Sequence, residues 1–98
     1  VSVDQHDAGL PTEFALRQNY PNPFNPVTFI PFDIPAELHV KLELYDVTGR
    51  LVQTLINENL PAGRYSYHLD ASDLATGVYI YRIETEKYSS AKKLILVK

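Results

Sequence analysis

The sequence predicts an all-β sandwich of about seven antiparallel strands, and three observations carry that expectation. Short runs rich in Val, Ile, Tyr and Leu alternate apolar and polar side chains with a period of two. Clusters of Gly, Pro, Asn and Asp interrupt those runs roughly every ten residues. No stretch holds a convincing helical period over the length a helix needs. At 98 residues the chain has the size of one domain, able to bury roughly two-thirds of its unfolded surface around one modest core.

Taken in order, residues 1–12 are polar, aperiodic and close on Gly9 and Pro11, so they read as the tail of a linker, with the domain proper at 13–98. The chain starts at Val1 without a basic or apolar leader, which suggests a piece cut from a longer precursor. The run from Glu13 to Tyr20 can form a short edge strand with Phe14 and Leu16 on one face. Pro21, Pro23 and Pro26 follow within six residues; they remove backbone donors and fix φ, so Tyr20 to Pro26 is expected to be a rigid, irregular corner. Val27 to Ile34 places Ile30, Phe32 and Ile34 on one face, and Pro31 on the opposite parity points to one unpaired edge.

Leu38 to Asp46 alternates cleanly, with Leu38, Val40, Leu42 and Leu44 inward and His39, Lys41, Glu43 and Tyr45 outward. Asp46 to Arg50 is a hairpin turn in which Gly49 supplies positive φ. In the return run Leu51, Val52, Leu55 and Ile56 also fit a helix; the short distance to an expected turn at Asn57-Glu58-Asn59 favours a bulged strand. Tyr65, Tyr67 and Leu69 form the inner face of the next strand, and Asp70 to Asp73 is a turn. The densest β propensity lies in Val78 to Thr85 and Tyr88 to Lys98, a closing hairpin. In Leu74-x-x-Gly77-x-Tyr79 a tyrosine near the start of a central strand can bond back to the turn before it, the tyrosine corner of immunoglobulin-like sandwiches.

Composition narrows the function. A net charge of −3, with Lys92-Lys93 as the only adjacent basic pair, argues against nucleic acid. The absence of cysteine removes disulfides, thiolate metal sites and cysteine nucleophiles. No segment approaches the length of a membrane span. His6, His39 and His68 have no metal-ligand spacing and read as surface histidines. Asp46, Asp70 and Asp73 could serve a cation or acid–base chemistry, yet turns use the same residues for main-chain bonds. Ser66, His68 and Asp70 lie on a regular strand face that offers neither a strained nucleophile elbow nor an oxyanion hole. The four glycines are dispersed and form no phosphate loop. No catalytic residue, cofactor site or metal site is expected. The seven tyrosines leave open a sugar-stacking face, centred on Tyr45, against the simpler reading that Tyr65, Tyr67, Tyr79 and Tyr81 fill the core.

Four motifs stand in order along the chain: Asn19-Tyr20-Pro21-Asn22-Pro23-Phe24-Asn25-Pro26; Leu44-Tyr45-Asp46-Val47-Thr48-Gly49-Arg50; Asp70 to Arg82 with Gly77-Val78-Tyr79-Ile80-Tyr81; and Lys92-Lys93-Leu94-Ile95-Leu96-Val97-Lys98. Together, over about 80 residues, they resemble the type A C-terminal sorting domain of cargo exported by the type IX secretion system of certain Gram-negative bacteria. The resemblance implies a seven-stranded immunoglobulin-like sandwich related to a module of a flagellar hook-capping protein. It further implies a preceding cargo domain, passage through the periplasm and outer membrane to the cell surface, recognition by an outer-membrane translocon, and removal by a sortase-like surface peptidase. On this reading Lys92 to Lys98 are the recognised end, while Asn22, Pro23, Asn25, Pro26, Asp46, Gly49, Arg50, Gly77 and Tyr79 hold the platform. The competing expectation is a carbohydrate-binding or spacer module of a multidomain extracellular enzyme.

Overall fold

In a computed structural model, which describes the backbone of residues 3–6 and residues 9–98 in full, the alternating runs form eight strands in two four-stranded antiparallel sheets. They are β1 (Val3–His6), β2 (Ala15–Leu16), β3 (Val27–Ile34), β4 (Leu38–Asp46), β5 (Leu51–Leu60), β6 (Gly63–Asp70), β7 (Gly77–Glu84) and β8 (Ser89–Leu96). Sheet A has the order β1-β6-β3-β2 and sheet B the order β5-β4-β7-β8. The seven strands expected from periodicity correspond to β2 through β8. Among the described residues there is no helix, hence none long and apolar enough to cross a membrane.

The core lies where the inner faces meet. Sheet A contributes Ile30, Phe32 and Ile34 with Tyr65, Tyr67 and Leu69; sheet B contributes Val40, Leu42, Leu44, Ile56, Tyr79, Tyr81, Ile83, Leu94 and Leu96, all buried. Period-two alternation puts these side chains on one face of each sheet, and their removal from water is the main favourable term for the fold. The inward residues expected on β3, β4, β6 and β7 are the ones found there.

Three expectations need correction. Residues 3–6, assigned to a linker, form a strand antiparallel to β6, with Val3 opposite Tyr67 and His6 opposite Arg64. The turn expected at Asn57-Glu58-Asn59 is absent: β5 runs through those residues to Leu60, opposite Leu38. The unpaired edge inferred from Pro31 is half right. Strand β3 lies between β6 and β2, and the Pro31 carbonyl accepts the Arg17 N–H at 3.0 Å; the missing proline donor faces β2, which is only two residues long.

The helical-looking spacing in β5 has a specific cause. Pairing with β4 slips between Leu42 and Glu43 and again between Leu44 and Tyr45, so β5 holds one extra residue at each slip. The first bulge resets the parity, and the neighbours Leu55 and Ile56 are both buried. Adjacent apolar residues, which an unbroken strand would send to opposite faces, thus share one.

The tyrosine corner is present and occurs twice. The Tyr79 hydroxyl donates to the Ala75 carbonyl at 2.6 Å, and the Tyr65 hydroxyl donates to the Pro61 carbonyl at 2.6 Å. Both follow one pattern, Leu60-Pro61-Ala62-Gly63-Arg64-Tyr65 and Leu74-Ala75-Thr76-Gly77-Val78-Tyr79, at the entrance to an interior strand of each sheet. Replacing either tyrosine by phenylalanine strands a carbonyl at little cost in packing, so Tyr65→Phe and Tyr79→Phe should each destabilise by about 1 kcal/mol. The double variant should lose the sum, because the hydroxyls share no partner. Urea unfolding with an unchanged slope measures this; a loss below about 0.3 kcal/mol in either single variant would contradict the role given to that hydroxyl.

Candidate functional site

Strand β8 is an edge strand of sheet B, paired on one side with β7 from Gly77↔Leu96 to Glu84↔Ser89. On its other side the proline-rich corner runs alongside as a strap. The Phe24 N–H donates to the Ile95 carbonyl at 3.0 Å, the Val97 N–H to the Phe24 carbonyl at 3.0 Å, and the Ile95 N–H to Asn22 Oδ1 at 2.9 Å. Further up the edge, Gln18 Nε2 donates to the Lys93 carbonyl at 2.8 Å. Prolines alone could not supply such a ladder, since they lack the donor. The strap instead uses the one residue between Pro23 and Asn25, and the buried Phe24 ring anchors it in the core. The bonds Tyr20–Pro21, Asn22–Pro23 and Asn25–Pro26 are all cis.

The strap is joined to the core by a buried polar network. The Tyr81 hydroxyl accepts the Asn19 N–H at 2.8 Å and donates to the Arg17 carbonyl at 2.8 Å, so both of its roles are filled. Asn19 Nδ2 donates to Thr28 Oγ1 at 3.0 Å and to the Pro21 carbonyl at 3.2 Å, and Thr28 Oγ1 donates to that same carbonyl at 2.9 Å. Asn19 and Thr28 are buried, and burial without these partners would be costly. Tyr81 is a central residue of β7, so one side chain ties sheet B to the segment that leaves sheet A. Burial pushes the Tyr81 hydroxyl up to about 12, against a smaller opposing effect of the Asn19 N–H.

The expected recognition residues do not form one surface. Leu94 and Leu96 are core residues. Lys93 and Val97 are exposed on the outer parity with the half-buried Ile95, and Lys92, across from Tyr81, sits half-buried on the inner parity at the sheet's margin. Lys98 is tied back: its N–H donates to Thr76 Oγ1 at 3.1 Å and its Nζ to the Ser72 carbonyl at 2.5 Å.

Of the platform residues, Asn22 bonds β8 directly and the Pro26 carbonyl accepts the Ala71 N–H. Pro23 is exposed, and so is Asn25, which makes no side-chain hydrogen bond among the described residues. Asp46 Oδ1 accepts from the Thr48 hydroxyl and from the Thr48 and Arg50 N–H groups, while Arg50 Nε lies 3.3 Å from Oδ2. These contacts, the Thr48 hydroxyl first, hold the Asp46 carboxyl below its usual range. Gly49 has φ +88° and donates its N–H to the Asp46 carbonyl, a conformation that needs glycine. Gly77 and Tyr79 open β7.

Asp70 makes the turn bonds expected of it, to the N–H and hydroxyl of Ser72. Tyr65, Tyr67, Tyr79 and Tyr81 fill the core, as the simpler reading had them, and Tyr45, the centre of the alternative sugar-stacking face, has its hydroxyl committed to Glu43 at 2.7 Å. The exposed Tyr20 ring packs tilted against Phe29, which in turn leans on His68, leaving no flat aromatic platform there.

Two outcomes follow from this geometry. In Asn22→Ala the Ile95 amide loses its acceptor while the Val97 amide keeps Phe24, so hydrogen exchange should accelerate selectively at Ile95; equal exchange at the two would refute the Asn22 contact. The raised Tyr81 pKa stabilises the folded state fully below the unfolded tyrosine value near 10, and that contribution is lost as pH rises through about 12. Unfolding free energy should therefore fall by roughly 2–3 kcal/mol between those limits on account of Tyr81, and Tyr81→Phe should flatten that part of the slope.

A family model described as secretion system C-terminal sorting domain matches residues 18–98, which span the strap, both hairpins and the terminal strand. Comparison with curated proteins and with solved structures finds no match. With four-fifths of its length inside that model and an all-β sandwich to carry it, the chain belongs to the C-terminal sorting domains, the sorting signals of the type IX secretion system.

Proposed function

We propose that this domain is a noncatalytic sorting and anchoring module whose terminal strand, Lys92 to Lys98, is the element read by an outer-membrane translocon. As a sorting domain it belongs to a secreted or cell-surface protein. The cargo domain precedes it, passes through the periplasm with it, and a sortase-like surface peptidase then separates the two. The observation that carries the reading is the double support of β8. Its strand is bonded to β7 on one side and to Asn22 and Phe24 on the other, so Lys93, Ile95 and Val97 project from a fixed backbone. A recognised element held in one geometry costs its partner little ordering entropy on binding. Asn22, Phe24, Pro26, Asp46, Gly49, Arg50 and the Tyr79 corner act by fixing that backbone.

Deleting Leu94 to Lys98 from the full-length protein should leave cargo in the periplasm of a host with this secretion system; normal surface display would sink the reading. The deletion also removes two core leucines, so a second variant separates folding from recognition. Val97 is 47% exposed and its backbone bond to Phe24 does not involve the side chain. Val97→Asp should keep the unfolding free energy measured in urea within about 0.5 kcal/mol of native and still lower display.

A further inference from the structure

We propose that the upper part of the β8 edge, Ser89 to Lys93, is a docking site for an extended, carboxylate-bearing segment of a second protein, which adds to sheet B as a further strand. The proposal rests on the reading of the domain as a recognised sorting module and names how recognition occurs. The Lys93 carbonyl, both backbone groups of Ile95 and the Val97 N–H point away from β7, into the strap. In an antiparallel ladder the outward groups recur every second residue, so the N–H of Lys93 and both groups of Ala91 and Ser89 point the same way. The strap ends its contacts at Lys93; among the described residues no strand is hydrogen-bonded to β8 on that side, although β2 packs nearby and the Phe14 ring stacks on Tyr88 with centroids 4.9 Å apart. The result is a row of donors and acceptors with no protein partner among the described residues, the template to which extended peptides add.

The open stretch carries neither a proline nor a bulge, and its only charges are those of Lys92 and Lys93. Its other side chains are Ser89, Ser90 and Ala91, small enough to let another backbone approach, and its pairing to β7 is unbroken by any bulge. The opposite edge of the sheet, β5, carries two bulges, and in sheet A β2 is only two residues long.

Charge selects the occupant. Of the nine lysine and arginine side chains, Arg17, Lys41, Arg50, Arg64 and Arg82 are in ion pairs and Lys98 is bonded to the Ser72 carbonyl. The other three, Lys87, Lys92 and Lys93, have no acidic partner among the described residues, and all three flank the open edge. Antiparallel pairing of two copies centred on Ala91 would set Lys92 and Lys93 opposite Ser90 and Ser89, on a facing strand that carries no carboxylate. A strand bearing Glu or Asp gains the same backbone bonds and charge-assisted contacts as well.

The test uses full-length cargo protein in a type IX-competent host. In Ala91→Pro the lost N–H is one that faces away from β7, so the β7–β8 ladder is kept; Ala91→Ser retains the donor as a control. Ala91→Pro should resist proteolysis like the native domain and display about tenfold less cargo, whereas Ala91→Ser should display normally. Lys92→Glu combined with Lys93→Glu should also reduce display about tenfold. Native-level display in both Ala91→Pro and the double glutamate variant, while deletion of Leu94 to Lys98 still traps cargo, overturns the edge proposal and leaves the sorting reading standing. Should Ala91→Pro lose protease resistance, normal display of the double glutamate variant overturns the proposal by itself. A native dimer that Ala91→Pro converts to monomer without loss of display assigns the edge to a second copy, and that too overturns it.

Discussion

The Tyr81 hydroxyl is the polar contact on which the rest of the site depends. It lies at the middle of an interior strand, in surroundings that exclude water, accepting the Asn19 N–H and donating to the Arg17 carbonyl. Without it, the buried Asn19 N–H would lose its acceptor and the Arg17 carbonyl its donor. With it, that segment is placed where Asn19 can reach Thr28 and Pro21, and where the following residues descend along β8. The strap, the fixed edge and the limit of that edge at Lys93 all follow from where this crossing is anchored.

How much of this could be read in the sequence depended on whether the governing contacts were local. In β4 the alternation of Leu38, Val40, Leu42 and Leu44 with polar residues was sufficient, because burial of one sheet face imposes a period of two. The Asp46 turn was legible for the same reason, Gly49 being placed where positive φ was needed. Strand β5 misled because a bulge arises between two strands and has no signature in one: Leu55 and Ile56 imitate a helix only because Thr54 pairs with Glu43 where Leu55 would otherwise stand. Residues 3–6 offered no apolar pattern at all, and only the edge of β6 recruits them into a sheet.

Strand β8 and the residues after it show the same division. Motif reading treated Lys92 to Lys98 as one block, whereas strand parity separates Leu94 and Leu96, which make the core, from Lys93 and Val97, which face outward. That separation was available from periodicity. The partner of the block was not, since Asn22 and Ile95 are separated by 73 positions and the strap's prolines argued against any strand-like pairing. The Leu-x-x-Gly-x-Tyr pattern at Leu60 carries the same local signal as the one at Leu74, since each sets a hydroxyl four residues beyond the carbonyl it meets.

The two bulges in β5 have a consequence for assembly. Copies of a sandwich could in principle stack head to tail, the β5 edge of one molecule against the β8 edge of the next, a heterologous contact that does not close and therefore grows into a filament. Such growth needs two edges in compatible register. Strand β5 offers a long edge, but its register shifts twice within four residues of β4, so it cannot match the even repeat of β8 along its length. Sheet B thus has a direction: one margin, β8, keeps an even register and the other, β5, is broken by bulges.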